Sequence, residues 1–442
     1  MKTNIKLQII IIFSSVLNLS LSAQTAHSVR NIARDASTEI DAVYTNPAGL
    51  VKLSDGLHIS INNQSIFQKN EIQSDNALFL GNGGESKKSF KSKANSIIIP
   101  NVLAAYKKDK WIISTGLGIS NSDKLKFTQG IPSFEAPIAS LPAILTSTGI
   151  ETNKYSLNSG IEKKSYTYNL QFGASYAFNK TFSVYGGLRF NLINNTYNGF
   201  ITDIQINPQH PILNPDGQMI SAYEFFNTTG QFEITGSLRD NNIDVTQNGF
   251  GISPIIGVNI SHEKLNIGVR YEFKTKIEIE NSTKVDDIGS YPDGVKSPDD
   301  IPALFSIGLS YQLSPKLLTS VGYHHIISSD AGKPNDKQQY IKNTNEFQAG
   351  LECRVDNRLL LSIRGQYSTP KVEDNYQTDL DYILKSYTIG LGAAYDFTDR
   401  LRLNIGYQWT GYSDYTKVTN NSRTDTFSKK KTVIAIGIDY HF

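Results

Sequence analysis

One segment in the second half of the chain alternates between apolar and polar side chains over most of its length. From Leu265 to Ile279, apolar residues hold one parity and polar or charged residues hold the other. Because successive side chains of a β-strand point to opposite faces, such a strand has one apolar and one polar wall. A strand that crosses a bilayer at a tilt needs roughly 9–11 residues and divides in the same way between lipid and a wet interior. The segment is therefore predicted to be a membrane-spanning strand of a β-barrel.

The alternation recurs along the chain, for example at 166–178, 401–409 and 434–442. Short polar connections lie at 107–110, 179–180, 261–264, 314–316, 355–358 and 398–400. Long connections lie at 69–91, 121–164, 197–247, 280–301, 327–343, 369–384 and 413–430. Outer-membrane barrels have short periplasmic turns and longer external loops. The predicted fold is all-β: a fourteen-stranded antiparallel transmembrane β-barrel, with Gly230–Leu238 as a hairpin inside the third external loop.

Composition excludes several classes of protein. The 442 residues contain no linker that would divide them into domains, and the net charge of +2 comes without a basic patch for nucleic acid. After the N-terminus there is no apolar run long enough for a membrane-spanning helix. Cys353 is the single cysteine, so an intramolecular disulfide is excluded, and its parity predicts a lipid-facing side chain.

The N-terminus has the layout of a secretory signal. Lys2 and Lys6 precede an apolar run from Leu7 to Leu21, and the small residues Ser22 and Ala23 follow it. We expect cleavage after Ala23. The predicted organisation is a signal peptide at 1–23, an N-terminal region at 24–56 that does not alternate, and the barrel at 57–442. Export and barrel patterning together predict the bacterial outer membrane.

The N-terminal region carries a motif that points to a family. Asn46, Pro47, Ala48 and Gly49 form a turn-prone, small-residue sequence. Here the chain resembles the FadL-like family of long-chain fatty-acid transporters, whose fourteen-stranded barrels hold an N-terminal hatch with an Asn-Pro-Ala motif. The resemblance implies that 24–56 is a luminal hatch. It continues at 99–101, Tyr106, 110–111, 116–118, 257–271, 301–303 with Gly308, and the closing Phe442. One departure is 121–123, where Asn-Ser-Asp stands in place of the Pro-Phe-Gly that the family often has just after its third strand.

Three residues on two neighbouring strands predict a weak place in the wall. Pro100 removes a ladder donor, and Gly116 and Gly118 have no side chain to pack. Ordinary barrel curvature is one explanation. The family's kinked third strand, which opens a lateral exit into the membrane, is the other and the one we favour.

Two sets of residues are candidates for holding a substrate. Apolar side chains in the second and third external loops predict a groove for an amphipathic molecule, although the loops could instead pack on each other. These groove candidates are Phe134, Ile138, Leu141, Ile144, Phe225 and Phe226. Cations on luminal parities could bind a carboxylate, although such charges often pair with neighbouring acids. These head-group candidates are Arg189, Arg270, Lys274, Arg364 and Arg402.

The predicted function is passive outer-membrane transport of hydrophobic small molecules, with long-chain fatty acids as the leading class. Motifs typical of enzymes are absent from the sequence, and we expect no cofactor, no metal and no nucleic-acid partner. We expect a monomer in contact with outer-membrane lipid and lipopolysaccharide. The alternatives are a surface receptor or adhesin for a ligand such as haem, and a general porin.

Overall fold

The computed structural model of the protein describes residues 25–419 and 423–442, so the predicted signal peptide lies outside the described residues. Fourteen antiparallel strands form one closed sheet, in which β1 pairs with β14. The first seven are β1 Gly56–Asn76, β2 Lys87–Lys108, β3 Trp111–Phe127, β4 Tyr155–Ala177, β5 Phe182–Ile206, β6 Asn241–His262, and β7 in two segments, Leu265–Glu272 and Glu278–Asp286. The others are β8 (Lys296–Pro298 and Ala303–Ser314), β9 Leu317–Ile327, β10 Ile341–Arg354, β11 Leu359–Val372, β12 Ser386–Thr398, β13 (Leu401–Tyr412 and Tyr415–Thr419), and β14 Arg423–His441. The predicted fourteen-stranded barrel is confirmed.

The short helices lie in the N-terminal region and in the external loops. The α-helices are α1 Ala26–Arg30, α2 Ala42–Thr45, α3 Pro132–Ala139, α4 Leu141–Ser147, α5 Ala222–Thr228 and α6 Phe232–Thr235. The 3-10 helices are Pro47–Lys52, Ala77–Gly81, Gly236–Leu238, Ser328–Asp330 and Pro334–Tyr340. A two-residue strand, Ile220–Ser221, pairs with the end of β5. None of the described helices is both long and apolar enough to span a membrane.

The wall has an apolar outer face and a polar inner face. On β14, Ile434, Ile436 and Ile438 are about half exposed, whereas Asn404 on the neighbouring β13 is fully buried and points inward. Lipid covers the outer face of such a barrel, so apolar exposure there is the expected arrangement. The closed barrel with this outer face is a bacterial outer-membrane protein.

Several strands are longer than a bilayer requires. β4 contains 23 residues and β5 contains 25, against roughly 9–11 for a spanning strand. The predicted limits of the long loops were therefore too wide, because both strands continue beyond the membrane. Two other sequence predictions were also wrong in detail. Gly230–Leu238 is helical rather than a hairpin, and β7 does not run without a break.

The break in β7 reverses which side chains face inward. Arg270 and Glu272 are buried before it, but Ile277 and Ile279 are buried after it, although their parity predicted contact with lipid. The glycines of β6 explain this displacement. A Cβ atom added to Gly249 would lie 2.7 Å from Ile277, and one added to Gly251 would lie 2.5 Å from Thr275. The chain can therefore bend across β6 only because those two positions lack side chains.

Residues 25–55, hereafter the N-terminal segment, lie inside the barrel. Almost all of them are buried through residue 50. The Asn62 side chain on β1 accepts a hydrogen bond from the backbone of Ala26, and Gln171 on β4 donates one to the carbonyl of Val43. The segment thus crosses the lumen from the β14–β1 side to the β4 side.

Candidate functional site

A buried ion pair and a half-buried one attach the N-terminal segment to the wall. Arg30 Nη1 lies 2.5 Å from Glu352 Oε1 on β10, and Arg402 Nη1 on β13 lies 2.7 Å from Glu39 Oε1. Within the segment, Arg34 Nη2 lies 2.7 Å from Asp41 Oδ1. Burial alone would raise the pKa of the Glu39 carboxyl, but Arg34, together with Arg402 and Arg30, holds that pKa well below its ordinary value. The Glu39 carboxylate is therefore charged, and its contacts with arginine are charge-assisted.

One group in this network has the composition of a metal site. Single ligand atoms of His27, Glu39 and Asp41 lie within 4.8 Å of one another. Both carboxylates, however, are already bonded to guanidinium groups, among them that of Arg34. A cation would have to displace arginine there, so the group is explained better as part of the attachment of the segment.

The Asn46–Gly49 motif makes close contacts with the wall. Asn46 Nδ2 donates to the Ser37 carbonyl and to Asn259 Oδ1 on β6, over 2.9 Å and 2.8 Å. The carbonyls of Pro47 and Ala48 accept hydrogen bonds of 2.7 Å each from the hydroxyls of Ser175 and Ser183. At Gly49 a Cβ atom would lie 2.5 Å from the Ser37 carbonyl oxygen, which explains glycine at that position.

Inward-facing glycines of the wall make room for the N-terminal segment. A Cβ atom on Gly268 of β7 would lie 2.0 Å from the backbone oxygen of Asp35, and one on Gly308 of β8 would lie 2.6 Å from the Asp35 Cβ atom. Gly350 faces Asn31 in the same way. Real Cβ atoms do not approach other atoms this closely, so side chains at these positions would displace the segment.

The wall is unpaired between β2 and β3 over part of its height. Near the short turn that joins the two strands, the ladder is regular from the pair Lys108–Trp111 to the pair Asn101–Gly118. Toward the external loops, Ser92 pairs with Phe127 in the same register. Among the described residues, no ladder pair joins 93–100 to 119–126. Both strands remain paired with their other neighbours, although with register shifts between Gln64 and Ile66 on β1 and between Ile119 and Asn121 on β3. We call this unpaired stretch the β2–β3 gap.

The three residues predicted to weaken the wall have different positions relative to the gap. Gly118 belongs to the last regular pair below it, and Pro100 is the first unpaired residue of β2 toward β3. Gly116 lies lower, in the paired region, where a Cβ atom would lie 2.7 Å from the ring of Tyr44. Gly116 therefore accommodates the N-terminal segment, and its placement in the opening was wrong.

Side chains close part of the β2–β3 gap. Ser122 Oγ on β3 donates to Ser96 Oγ on β2 over 3.1 Å, and the backbone N–H of Lys126 donates to Ser92 Oγ over 2.7 Å. Ile97 and Ile98 on β2 are 62% and 77% exposed, among the most exposed aliphatic side chains of the wall. In the gap, a few weak side-chain contacts therefore take the place of the backbone hydrogen bonds that join the other strands of the barrel.

Four of the five candidate head-group cations already have partners. Arg189 forms a salt bridge of 2.7 Å with Glu272, and Arg402 binds Asp396 and Glu39. Lys274 falls in the β7 break and pairs with Asp330 over 2.9 Å. Arg270 donates to the backbone carbonyl of Tyr44 and so holds the N-terminal segment. Arg364 differs from these four: it is 3% exposed, and its Nε and Nη1 atoms have no hydrogen-bond partner in the described part of the chain.

Arg364 belongs to a polar patch that sequence reasoning found only in part. Its Nη2 donates to Gln408 Oε1 on β13. One step higher, Thr410 is in register with Lys431 of β14, and Lys431 is in register with Gln68 of β1. Two strands, β1 and β2, separate Lys431 from the β2–β3 gap. Lys431 has inward parity and could have been found from the sequence, but it precedes the segment in which alternation is clear.

The predicted groove residues of the external loops are not an exposed surface. Phe134, Ile138, Leu141, Phe225 and Phe226 are each at most 2% exposed and belong to one apolar cluster, while Ile144 is half-buried. The loops thus pack on each other, as the alternative interpretation held, and an open groove was the wrong geometry. This external cluster also includes Leu380, Tyr382 and Leu384 of the loop between β11 and β12.

These features define a class of protein: a closed outer-membrane β-barrel whose lumen holds an N-terminal segment and whose external loops form an apolar cluster. None of the known family models matches the sequence, and none of the curated proteins is similar to it at the sequence level.

Solved structures show the same fold. The Pseudomonas aeruginosa FadL homologue is 13% identical, with a TM-score of 0.61, and the match covers 98% of this chain and 99% of that one. The Pseudomonas putida toluene transporter TodX is 14% identical, with a TM-score of 0.57 over 92% of this chain and 95% of that one. The Ralstonia pickettii toluene transporter TbuX is 14% identical, with a TM-score of 0.56 over 96% and 100%. The chain therefore has the FadL-like fold.

Proposed function

We propose that the protein is a passive outer-membrane transporter of hydrophobic small molecules, that long-chain fatty acids are its preferred substrates, and that they leave the lumen sideways through the β2–β3 gap. The observation that carries this proposal is the gap itself. Backbone groups facing lipid are normally all satisfied within a barrel, because unsatisfied groups there cost several kcal/mol. A stretch of wall without ladder pairs is energetically unfavourable. An opening for substrate explains why such a stretch is present, whereas a purely structural wall does not.

The N-terminal segment supports a sideways route. It blocks the lumen through buried ion pairs and through glycine positions that leave no spare room. The apolar side chains Ile66, Ile99 and Val433 cluster beside it, with Ile119 of β3 packed against them at the lower end of the gap. An alkyl chain lying there would gain roughly 0.8 kcal/mol for each methylene removed from water. A path from this cluster into the membrane does not require the segment to leave the barrel.

The polar patch above the cluster supports an anionic head group. Arg364 has buried donors that find no partner among the described residues, which is costly unless another molecule supplies an acceptor. A carboxylate can accept two parallel hydrogen bonds from one guanidinium group. Two of the similar structures are toluene transporters, and toluene carries no such group. A fatty acid matches the combination of apolar cluster and cation in this chain.

A reversible lock across the gap tests the route. Because the Ser96 and Ser122 hydroxyls lie 3.1 Å apart, the double variant Ser96→Cys/Ser122→Cys, made in a Cys353→Ala background, should form a disulfide that joins β2 to β3. Oleate uptake is then measured in cells that lack their own long-chain fatty-acid transporter. We expect uptake to fall sharply under oxidising conditions and to recover on reduction.

The matched control is Val102→Cys/Leu117→Cys, a pair that is in register on the same two strands below the gap. A disulfide there should leave uptake unchanged in both redox states. Unchanged uptake in the oxidised Ser96–Ser122 variant would exclude the lateral route. Absence of oleate uptake by the unmodified protein would contradict the proposed substrate class.

A further inference from the structure

The external mouth of the barrel is closed by a loop that reaches into it. Residues 373–385 join β11 to β12, and most of 376–384 are buried. The ring of Tyr382 lies 5.0 Å from the ring of Phe427 on β14, and the carboxylate of Asp379 accepts a 2.7 Å hydrogen bond from the backbone of Ser133 in the second external loop. We call residues 373–385 the mouth loop.

A fully buried ion pair fixes the tip of the mouth loop. The Lys163 ammonium on β4 contacts the carboxylate of Asp381, and both side chains are 0% exposed. Lys163 also donates to the Leu380 carbonyl over 3.2 Å. Around the pair are apolar and aromatic groups, including the Tyr197 ring, whose centroid lies 5.7 Å from Lys163 Nζ. A charge in such surroundings is stable only with a counter-charge.

A second cation approaches the same carboxylate. Lys337 Nζ, in the loop between β9 and β10, lies 3.9 Å from Asp381 Oδ2, and its side chain is 4% exposed. Burial, opposed by the charge of Asp381 and assisted by the charges of Lys163 and Lys417, lowers the pKa of Lys337 to about 8. Two buried ammonium groups therefore converge on Asp381, which is favourable for a second anion.

We propose that Lys163 and Lys337 form an entry site for the carboxylate of an amphipathic substrate, and that Asp381 of the mouth loop occupies this site until a substrate carboxylate replaces it. The inference rests on the proposed function and adds to it the step by which the substrate enters. The alkyl chain of the substrate would lie among the apolar side chains of the external cluster, which contains Phe134, Ile138 and Phe225.

The exchange couples opening to the chemistry of the substrate. If the mouth loop moved outward alone, Lys163 would lose its counter-charge inside an apolar cluster, so the closed state is favoured. A carboxylate that arrives from outside restores the counter-charge and removes this penalty. A ligand shifts an equilibrium only by its difference in affinity between the two states. An uncharged hydrophobic molecule of equal size should therefore not open the loop.

Accessibility of the loop tests this proposal. Leu380 is 3% exposed, so a Leu380→Cys variant in the Cys353→Ala background should react slowly with a membrane-impermeant maleimide added outside outer-membrane vesicles. We expect oleate to raise the labelling rate by at least about fivefold, the low end of coupling between linked sites. Methyl oleate, which lacks the charge, should leave the rate unchanged. Ile212→Cys, at an external position that is 84% exposed, controls for general effects of the lipid.

Two charge variants separate the entry site from a purely structural pair. Asp381→Asn leaves Lys163 without its counter-charge, so the Leu380→Cys label should react quickly without oleate, and oleate should bind more tightly because its competitor is gone. Lys163→Met/Lys337→Met/Asp381→Asn removes all three charges, which a buried site tolerates better than the loss of one. In this triple variant we expect slow labelling with and without oleate.

An oleate response that persists in the triple variant would overturn the proposal, as would an equal response to methyl oleate. These results are distinguishable from failure of the proposed function. If oleate uptake occurs and the Ser96–Ser122 disulfide blocks it, but oleate does not change labelling at residue 380, the transporter stands and the entry site is wrong. If the unmodified protein takes up no oleate, the proposed function itself is wrong.

Discussion

The imidazole of His324 on β9 lies 2.9 Å from the Asp35 carboxylate of the N-terminal segment, measured from Nε2 to Oδ1. Its other ring nitrogen lies 3.2 Å from the carboxylate of Glu346 on β10. All three side chains are at most 6% exposed. A histidine between two buried carboxylates joins the wall to the segment where the segment passes Gly308 and Gly322, which both contact Asp35.

Breaking this contact should loosen the N-terminal segment. Asp35→Asn removes one of the two carboxylates that His324 contacts, and loss of a hydrogen bond between charged groups typically costs about 1.5–3 kcal/mol. We expect a clear fall in the free energy of unfolding in urea. Lys284→Ala, which breaks the exposed pair with Asp244, should cost about 0–1 kcal/mol. Equal effects of the two variants would mean that His324 does not hold the segment.

A side chain at Gly268 should push the segment out of place. The Cβ atom of Gly268→Ala would lie 2.0 Å from the Asp35 backbone oxygen, and backbone cannot yield as a flexible side chain can. Overpacking of this kind usually costs about 1–3 kcal/mol. We expect liposomes that contain the variant to swell faster in small sugars, since the lumen is less well blocked. Gly186→Ala is the control, because no atom lies within 4 Å of its added Cβ.

The lowered pKa of Lys337 predicts a pH-dependent stability. Its pKa is about 8 in the folded protein against 10.5 ordinarily, so between these values the unfolded chain binds the extra proton and stability rises with pH. The destabilisation caused by the buried charge of Lys337 is therefore greatest below pH 8 and disappears as the pH approaches 10.5. Lys337→Met should therefore stabilise the protein more at pH 7.5 than at pH 9.5, by about 2 kcal/mol.

Melting temperatures of the two proteins at both pH values test this difference. Lys342→Met, at an exposed position five residues further along, should change stability by the same small amount at either pH. A pH-independent effect of Lys337→Met would contradict the assignment of a buried, charged Lys337.

The parity of side chains in the strands could be predicted from the sequence because the membrane imposes it locally. Ile405 is 47% exposed and Asn404 is fully buried, as their alternation indicates. The reversal at Ile277 could not be predicted in this way, because it depends on two glycines of the neighbouring strand. Strand β7 itself carries no signal of the break beyond the polar Thr275 on its apolar parity.

Contacts across the lumen were also beyond sequence reasoning. Arg189 and Arg364 both have inward parity. Only the closed barrel shows that Glu272 reaches Arg189, whereas no acid in residues 25–419 and 423–442 pairs with Arg364. Likewise, the sequence shows which glycines have inward parity. Whether Gly116 marks an opening or makes room for Tyr44 depends on the path of the N-terminal segment. The loop residues near Phe134 are apolar because they pack together in a core. A run of apolar residues in a sequence looks the same whether it forms a core or a substrate groove.

Arg364 provides the sharpest test of substrate chemistry, because its two roles predict opposite effects. A buried guanidinium whose Nε and Nη1 atoms have no partner within the described part of the chain is unfavourable without a ligand. Arg364→Met, which keeps much of the side-chain volume, should therefore leave the stability unchanged or raise it. The same variant should bind oleate more weakly by roughly tenfold to a hundredfold, because a hydrogen bond to a charged group contributes about 1.5–3 kcal/mol.

Methyl oleate distinguishes a head-group cation from a residue that merely shapes the lumen. Its affinity should be the same for Arg364→Met and for the unmodified protein, since the ester carries no charge for the guanidinium to bind. Arg189→Met is the matched control: it leaves Glu272 buried without its cation, so it should destabilise the barrel and weaken both ligands alike. If Arg364→Met behaved as Arg189→Met does, with lower stability and equal loss of both ligands, Arg364 would be a structural residue and the carboxylate would bind elsewhere in the lumen.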